Sequence, residues 1–400
     1  MRVVFATVLT ATLAAFSTSA LAQKAYGPGV TDTEIKIGNT TPYSGPASGY
    51  ATSGRIKAAY YNMINSKGGV NGRKIKYISY DDAYSPPKTM EQTRKLVEQD
   101  EVFALFGSIG TGPNAAIQKY LNQKDVPQLF ISSGAERWND PKTFPWTVPL
   151  YPSYIMEGRI AAKYFLQTKP DGKIALLHGS DDAGKDFVKG FKEGLGDKLS
   201  QVVAEKTFEL SQPTVDAEVV ALKYSGADML LLMGTPKFGA QAIRKIAELK
   251  WKPVTYLAAV TSSIKSVLAP AGLENSTGIV SALSSKVPGD PRWSEAPDMK
   301  EFLAFVKEWS PSDDPTEATV VSGYVSAWLT AKVLSECGDN LTRENLLKVV
   351  RSQKDVTLPL AQPGVTFTIT PEDYSGYKSL QMVRFNGQTW EPTGSLISAD

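Results

Sequence analysis

The residues best suited to chemistry in this chain are hydroxyls and glycines placed where apolar runs end. Residues 35–50, IKIGNTTPYSGPASGY, pass from Ile35 and Ile37 into Thr40, Thr41, Ser44, Gly45, Ser48 and Gly49. Gly107-Ser108-Ile109-Gly110-Thr111-Gly112-Pro113-Asn114 follows a second apolar run in the same way, and Ser132-Ser133-Gly134 follows a third. Glycines let a ligand approach the backbone, and unpaired amides at a helix start beside a hydroxyl suit a carboxylate. Each charge-assisted hydrogen bond there contributes roughly 1.5–3 kcal/mol. Alone, the 107–114 loop also reads as an ordinary strand-to-helix turn capped by Thr111 or Asn114. Two such loops at neighbouring strand ends favour convergence on one anion.

Covalent and metal chemistry find less support. His178 is the sole histidine, followed by Gly179-Ser180-Asp181-Asp182, but no Gly-x-Ser-x-Gly elbow accompanies it. Asp181 and Asp182 read better as caps of the helix that follows. Ser262-Ser263-Ile264-Lys265 matches Ser-x-x-Lys without the companion elements of serine acylases. Asp81-Asp82 reads as a strand-end turn before Pro86-Pro87. One histidine and one cysteine, Cys337, exclude an intramolecular disulfide and a thiolate metal cluster. No catalytic residue, metal or cofactor is expected.

The elements that must position these loops alternate in type, the pattern of a doubly wound α/β sheet. Strands are predicted at 35–39, 75–80, 102–107 and 127–132, with helices at 54–66, 88–100 and 114–123 between them. Ile56, Ala59, Tyr60, Met63 and Ile64 recur at helical spacing. Residues 144–152 hold three prolines and read as an extended crossover. A second series then follows, with strands at 174–178, 202–208, 229–233, 254–258 and 278–283 and helices at 154–167, 185–195, 215–224 and 238–249. Helices at 298–309, 318–337 and 343–353 and a hairpin at 380–391 complete the chain.

Residues 1–22 read as an export signal: Arg2, an apolar run from Val3 to Phe16, and Ala20-Leu21-Ala22 as the cleavage site before Gln23. That run falls short of the ~20 residues needed to span a bilayer. The whole chain carries 43 basic and 41 acidic side chains, and no Lys/Arg run exceeds two, so nucleic acid is not an expected partner. The three Asn-x-Thr sites (Asn39, Asn275, Asn340) fit the glycosylation pattern but are discounted, since the export signal looks bacterial.

Several segments together resemble the periplasmic solute-binding proteins of the leucine/isoleucine/valine type that serve ABC importers. They are residues 35–50, INSKGGVNGRKIKYISYDDA (64–83), LVEQDEVFALFGS (96–108), VPQLFISSGA (126–135) and KFGAQAIRKIAELKWKP (237–253). The resemblance covers nearly the whole mature chain. It implies the type I periplasmic binding protein fold: two Rossmann-like α/β lobes with parallel sheets, joined by a hinge. One lobe is expected from 31–152 and 279–370, the other from 153–278 and 371–400. It further implies a periplasmic monomer that closes on a small-molecule ligand and delivers it to an inner-membrane permease.

Carried over residue by residue, the resemblance makes Thr111 a hydroxyl and amide donor to the ligand carboxylate and Ser132 a backbone contact. Gly134 falls where a threonine is common, and Tyr50 falls on an aromatic that covers the ligand. In the second lobe Ala183 and Thr235 replace two aromatics, and Val260 stands where amino-acid binders place an acid for the ammonium. An ammonium buried without a carboxylate costs several kcal/mol, on the order of its desolvation penalty. The expected ligand is therefore a small carboxylate, with an aromatic acid such as a hydroxybenzoate or phenylpropenoate favoured, and Tyr43, Tyr84, Trp138 and Phe238 as candidate stacking faces. The alternatives are a branched-chain amino acid, which needs Asp181 or Asp182 to reach the cleft, and a sensory module.

Overall fold

A computed structural model of the protein describes residues 24–399; the expected export signal at 1–22 lies outside the described residues. The first lobe is built on five parallel strands in the spatial order Lys74–Asp81, Glu34–Thr41, Ala104–Phe106, Gln128–Ile131, Thr147–Pro149. The strand order reverses between Glu34–Thr41 and Ala104–Phe106, which opens a crevice at their carboxyl ends. Helix Ala51–Ser66 starts from that crevice. Gly68 and Gly69 stop it with positive φ angles of 105° and 81°.

The second lobe carries seven strands: Val202–Phe208, Ile174–Gly179, Met229–Met233, Val254–Leu257 and Val280–Leu283 run parallel, and Ser379–Phe385 and Trp390–Ser398 add an antiparallel edge. Ile174–Gly179 and Met229–Met233 are buried throughout, as strands covered by helices on both faces must be. Helices Tyr154–Thr168 and Asp182–Leu195 cover one face. They approach so closely at Gly158 and Gly190 that a methyl group on either would lie about 2 Å from the other helix's backbone (2.2 Å and 2.1 Å).

One boundary differs from the sequence reading. Val280–Leu283, expected to begin the first lobe's second segment, pairs instead with Val254–Leu257 and Ser379–Phe385 in the second-lobe sheet. The chain leaves that lobe only after Leu283, and helices Pro297–Trp309 and Ala318–Glu336 then pack on helix Ala51–Ser66. Gly323 makes the approach possible, since a methyl there would sit 2.8 Å from the Ser53 carbonyl. Tyr60 and Tyr324 meet edge to face at 5.2 Å. Residues from Leu150 to Ser153, from Ser284 to Pro288, and the stretch leading into Ser379 connect the lobes.

Candidate functional site

Gly110 sets the geometry of the first-lobe loops. Its φ of 97° turns the chain into helix Thr111–Gln123, and a Cβ there would lie 2.4 Å from the Tyr84 ring. Tyr84 itself sits at φ 58°. This close packing brings the Thr111 hydroxyl to 2.7 Å from the Ser133 hydroxyl, which also accepts from the Trp138 indole N–H at 3.0 Å.

The lobes are closed on each other. The Glu136 amide donates to the Asp186 carboxylate at 2.9 Å, and Arg137 reaches Asp182 at 3.4 Å. The Ser263 hydroxyl donates to Glu317 at 2.7 Å. Two of the compartments among the described residues lie between the lobes.

The front compartment is small, about 40 Å³. Tyr50, Tyr84, Thr111 and Tyr154 wall it on one side, and Asp181, Ala183, Phe208, Thr235 and Val260 on the other. Asp181 caps helix Asp182–Leu195 through Oδ1, which accepts from the Gly184 amide at 3.0 Å. Desolvation raises its carboxyl above the ordinary range, opposed by that amide. Burial likewise pushes the Tyr154 phenol up to about 12 and that of Tyr84 well above its usual value.

The hinge compartment is larger, about 140 Å³. Ser53 and Lys57 of helix Ala51–Ser66 and Phe130 and Ser132 at the end of strand Gln128–Ile131 line it from the first lobe, and Val321, Val325 and Ser326 from helix Ala318–Glu336. Ala259, Ser262 and Leu283 close it from the second lobe, and Tyr151 and Tyr377 from the connections. Beside it, Glu157 on helix Tyr154–Thr168 is fully buried. Its Oε1 accepts from the Ala259 amide at 2.7 Å and the Tyr256 hydroxyl at 3.4 Å, while Oε2 has no partner. Burial pushes its carboxyl up to about 8, so at neutral pH it carries a proton.

The structure therefore gathers Tyr50, Thr111, Ala183, Thr235 and Val260 around one compartment and puts Ser132 on the wall of the other. Gly134 lines neither. Its carbonyl accepts from the Tyr154 amide at 2.8 Å, and a Cβ would fall 1.9 Å from the Pro152 carbonyl, so the glycine makes room for the crossover. Phe238 is 1% exposed and packs on Phe208 with ring centroids 4.5 Å apart, inside the second-lobe core. Trp138 is buried under Ser133, and the Tyr43 hydroxyl is tied to Ser79 at 2.7 Å, which leaves Tyr84 as the expected stacking residue that faces a compartment. His178 is buried between the Gly179 carbonyl at 2.8 Å and Glu205 at 3.2 Å. The Ser262 hydroxyl donates to the Ala259 carbonyl at 2.7 Å while Lys265 faces Asp314 at 3.5 Å, so no Ser–Lys couple forms.

Sequence reasoning missed Lys57 and Glu157. Lys57 was findable: it lies one residue after Ile56 and three and four before Tyr60 and Tyr61, on the buried face of its helix. Glu157 likewise sits among Met156, Gly158, Ile160 and Ala161, all buried.

Two α/β lobes closed over ligand-sized space define a two-lobed binding architecture. The chain belongs to the periplasmic binding protein family, whose profile matches residues 34–389. It is a family of ligand-binding proteins, not enzymes. The Leu/Ile/Val-binding protein homolog 7 of Brucella abortus is 28% identical over 213 residues, covering 50% of this chain and 51% of that protein. The chain thus spans about half the length of the first such relatives. The leucine-, isoleucine-, valine-, threonine- and alanine-binding protein of Pseudomonas aeruginosa is 23% identical over 311 residues, 76% of this chain and 79% of that one. Among solved structures, a branched-chain amino acid ABC transporter protein of Thermus thermophilus with bound valine superposes at a TM-score of 0.82 (15% identity, 92% of this chain and 97% of that one). A solute-binding protein of R. palustris in complex with 4-hydroxybenzoate superposes at 0.77 (17% identity, 91% and 97%). These likenesses establish the type I fold. Among the described residues, no helix is long and apolar enough to cross a membrane.

Proposed function

We propose that the protein is the periplasmic capture component of an ABC importer, and that its lobes close on a small organic carboxylate, an aromatic acid by preference. The observation that carries this reading is the hinge compartment. Its volume of about 140 Å³ is close to that of a dry engineered cavity of ~150 Å³ that binds benzene. A ligand of about ten heavy atoms can reach micromolar affinity within the per-atom ceiling for small ligands. The importer assignment draws support from family membership and from relatives named as Leu/Ile/Val-binding proteins.

A second reading, an aliphatic amino acid, is favoured by one observation. Asp181 shares the front compartment with Thr111, so a carboxylate for an ammonium and a hydroxyl for a carboxylate face the same space. A thermal-shift panel separates the two. At a hundred times Kd a ligand adds about 2.7 kcal/mol, enough to raise Tm by several degrees. A rise with benzoate, 4-hydroxybenzoate or cinnamate and none with leucine or valine supports the aromatic acid. A rise with the amino acids alone replaces it with the second reading. No rise with any carboxylate refutes both.

A further inference from the structure

We propose that the ligand carboxylate is seated in the hinge compartment with the Lys57 ammonium as its counter-charge, the apolar walls enclosing the rest of the molecule. This rests on the reading of the protein as a carboxylate receptor, and it assigns the anion to a residue other than Thr111.

Lys57 is 1% exposed. Its Nζ donates to the Gly107 carbonyl at 2.6 Å, and among the described residues it joins no ion pair. An ammonium has three N–H donors, so this bond leaves two without a protein acceptor. Ser326, on the facing helix Ala318–Glu336, is 5% exposed and its hydroxyl has no partner at all. Both groups converge on one spot: a methyl on Gly107 would lie 2.6 Å from the Ser326 Oγ and 3.0 Å from the Lys57 Nζ. Ser53, one turn before Lys57 on the same helix, lines the same wall.

A buried, unpaired ammonium opposes folding through its uncompensated desolvation. Burial alone pulls its pKa down to about 7. Charges held this way occur chiefly where a ligand or a reaction uses them. A carboxylate entering here would accept from Lys57 and Ser326 and restore the missing partners. Among the described residues, the only other charged one on the wall, Lys286, is already paired with Asp298 at 2.7 Å. Among the described residues no acid lines the compartment, so the wall offers an ammonium no carboxylate. Phe130, Leu283, Val321 and Val325 leave space for an apolar body. The ligand class is thus an anion with one carboxylate, an apolar remainder of about ring size and no amine.

The test uses the mature chain, calorimetric titration, and benzoate as probe, with hexanoate in its place if benzoate does not bind. Lys57→Met should lower affinity at least thirtyfold while the ligand-free variant melts no lower than wild type. The uncharged isostere benzamide (hexanamide for hexanoate) should bind the wild type at least tenfold more weakly than its acid. Ser322→Phe, which narrows the compartment from the Ala318–Glu336 helix, should also abolish binding, and it decides the matter if Lys57→Met does not fold. Binding by either folded variant within threefold of wild type overturns the Lys57 seat and leaves the carboxylate-receptor reading intact. Failure of every carboxylate to bind the wild type overturns that reading, and the seat with it.

Discussion

The fully buried Glu157 makes a sharp prediction about stability and pH. Its carboxyl is held up to about 8 in the folded protein, whereas in the unfolded chain it ionises near its ordinary value of about 4.3. Between those values the folded state binds a proton that the unfolded state has released, so stability falls as pH rises. The slope is about 1.4 kcal/mol per pH unit well below the folded value and flattens through it, which gives a loss of about 2 kcal/mol between pH 6 and pH 8 and about 3 kcal/mol by pH 9, where it levels off. Glu157→Gln keeps an oxygen for the Ala259 amide, now at 2.7 Å, and does not titrate. Its stability relative to wild type should therefore grow by about 3 kcal/mol from pH 6 to pH 9.

Lys57 acts in the opposite sense. Its pKa is lowered to about 7, so stability rises with pH from there towards the unfolded value, about 10.4. That contribution is common to both proteins and cancels in the comparison. The assay is urea unfolding of ligand-free wild type and variant at pH 6 and pH 9. A stability difference that stays constant between the two pH values refutes the assignment of Glu157 as a buried, protonated acid.

Three further outcomes follow from particular contacts. Asp181→Asn should abolish any thermal shift produced by leucine or valine, because among the described residues it removes the one carboxylate facing the front compartment; an unchanged shift places the ammonium elsewhere. Gly134→Ala should destabilise the protein by about 1–3 kcal/mol or more, as an overpacked site does, because its Cβ would fall 1.9 Å from the Pro152 carbonyl; denaturant midpoints measure this. Cys337 is buried and its thiol is pushed up to about 12, so a thiol reagent at pH 8 should label it only after unfolding.

The lobe pattern was legible because buried parallel strands are short apolar runs and the helices between them repeat at 3.6 residues. What escaped was parity and partnership. Ser132 was singled out, yet Ser133 is the residue that meets Thr111. Successive residues in an extended segment point to opposite sides: Ser132 lines the hinge compartment, whereas Ser133 turns inward to Thr111 and Trp138, and sequence alone cannot say which does which. Val280–Leu283 reads correctly as a strand, but nothing local to Val-Ser-Ala-Leu says which of two sheets it joins. Phe238 fails for a similar reason. It is a conspicuous aromatic next to a candidate loop, yet its place on the helix turns it into the core against Phe208.

The same limit applied to charge. At Val260 the sequence argument looked for an acid at one aligned position and found none, while Asp181 approaches the same compartment from the neighbouring loop. In the hinge compartment the sign reverses, with Lys57 present and, among the described residues, no acid on the walls. A ligand shifts an equilibrium between open and closed lobes only by its differential affinity for the two. Lys57 belongs to the first lobe, but Ala259, Ser262 and Leu283 of the second help enclose its compartment. Closure without an anion therefore leaves the ammonium in a low-dielectric space with a single carbonyl for company, and closure around a carboxylate relieves that cost. On this argument the discrimination between carboxylate and amide is made by the closing step itself. The wild type should then lose most of its preference for benzoate over benzamide when Lys57 is replaced by methionine.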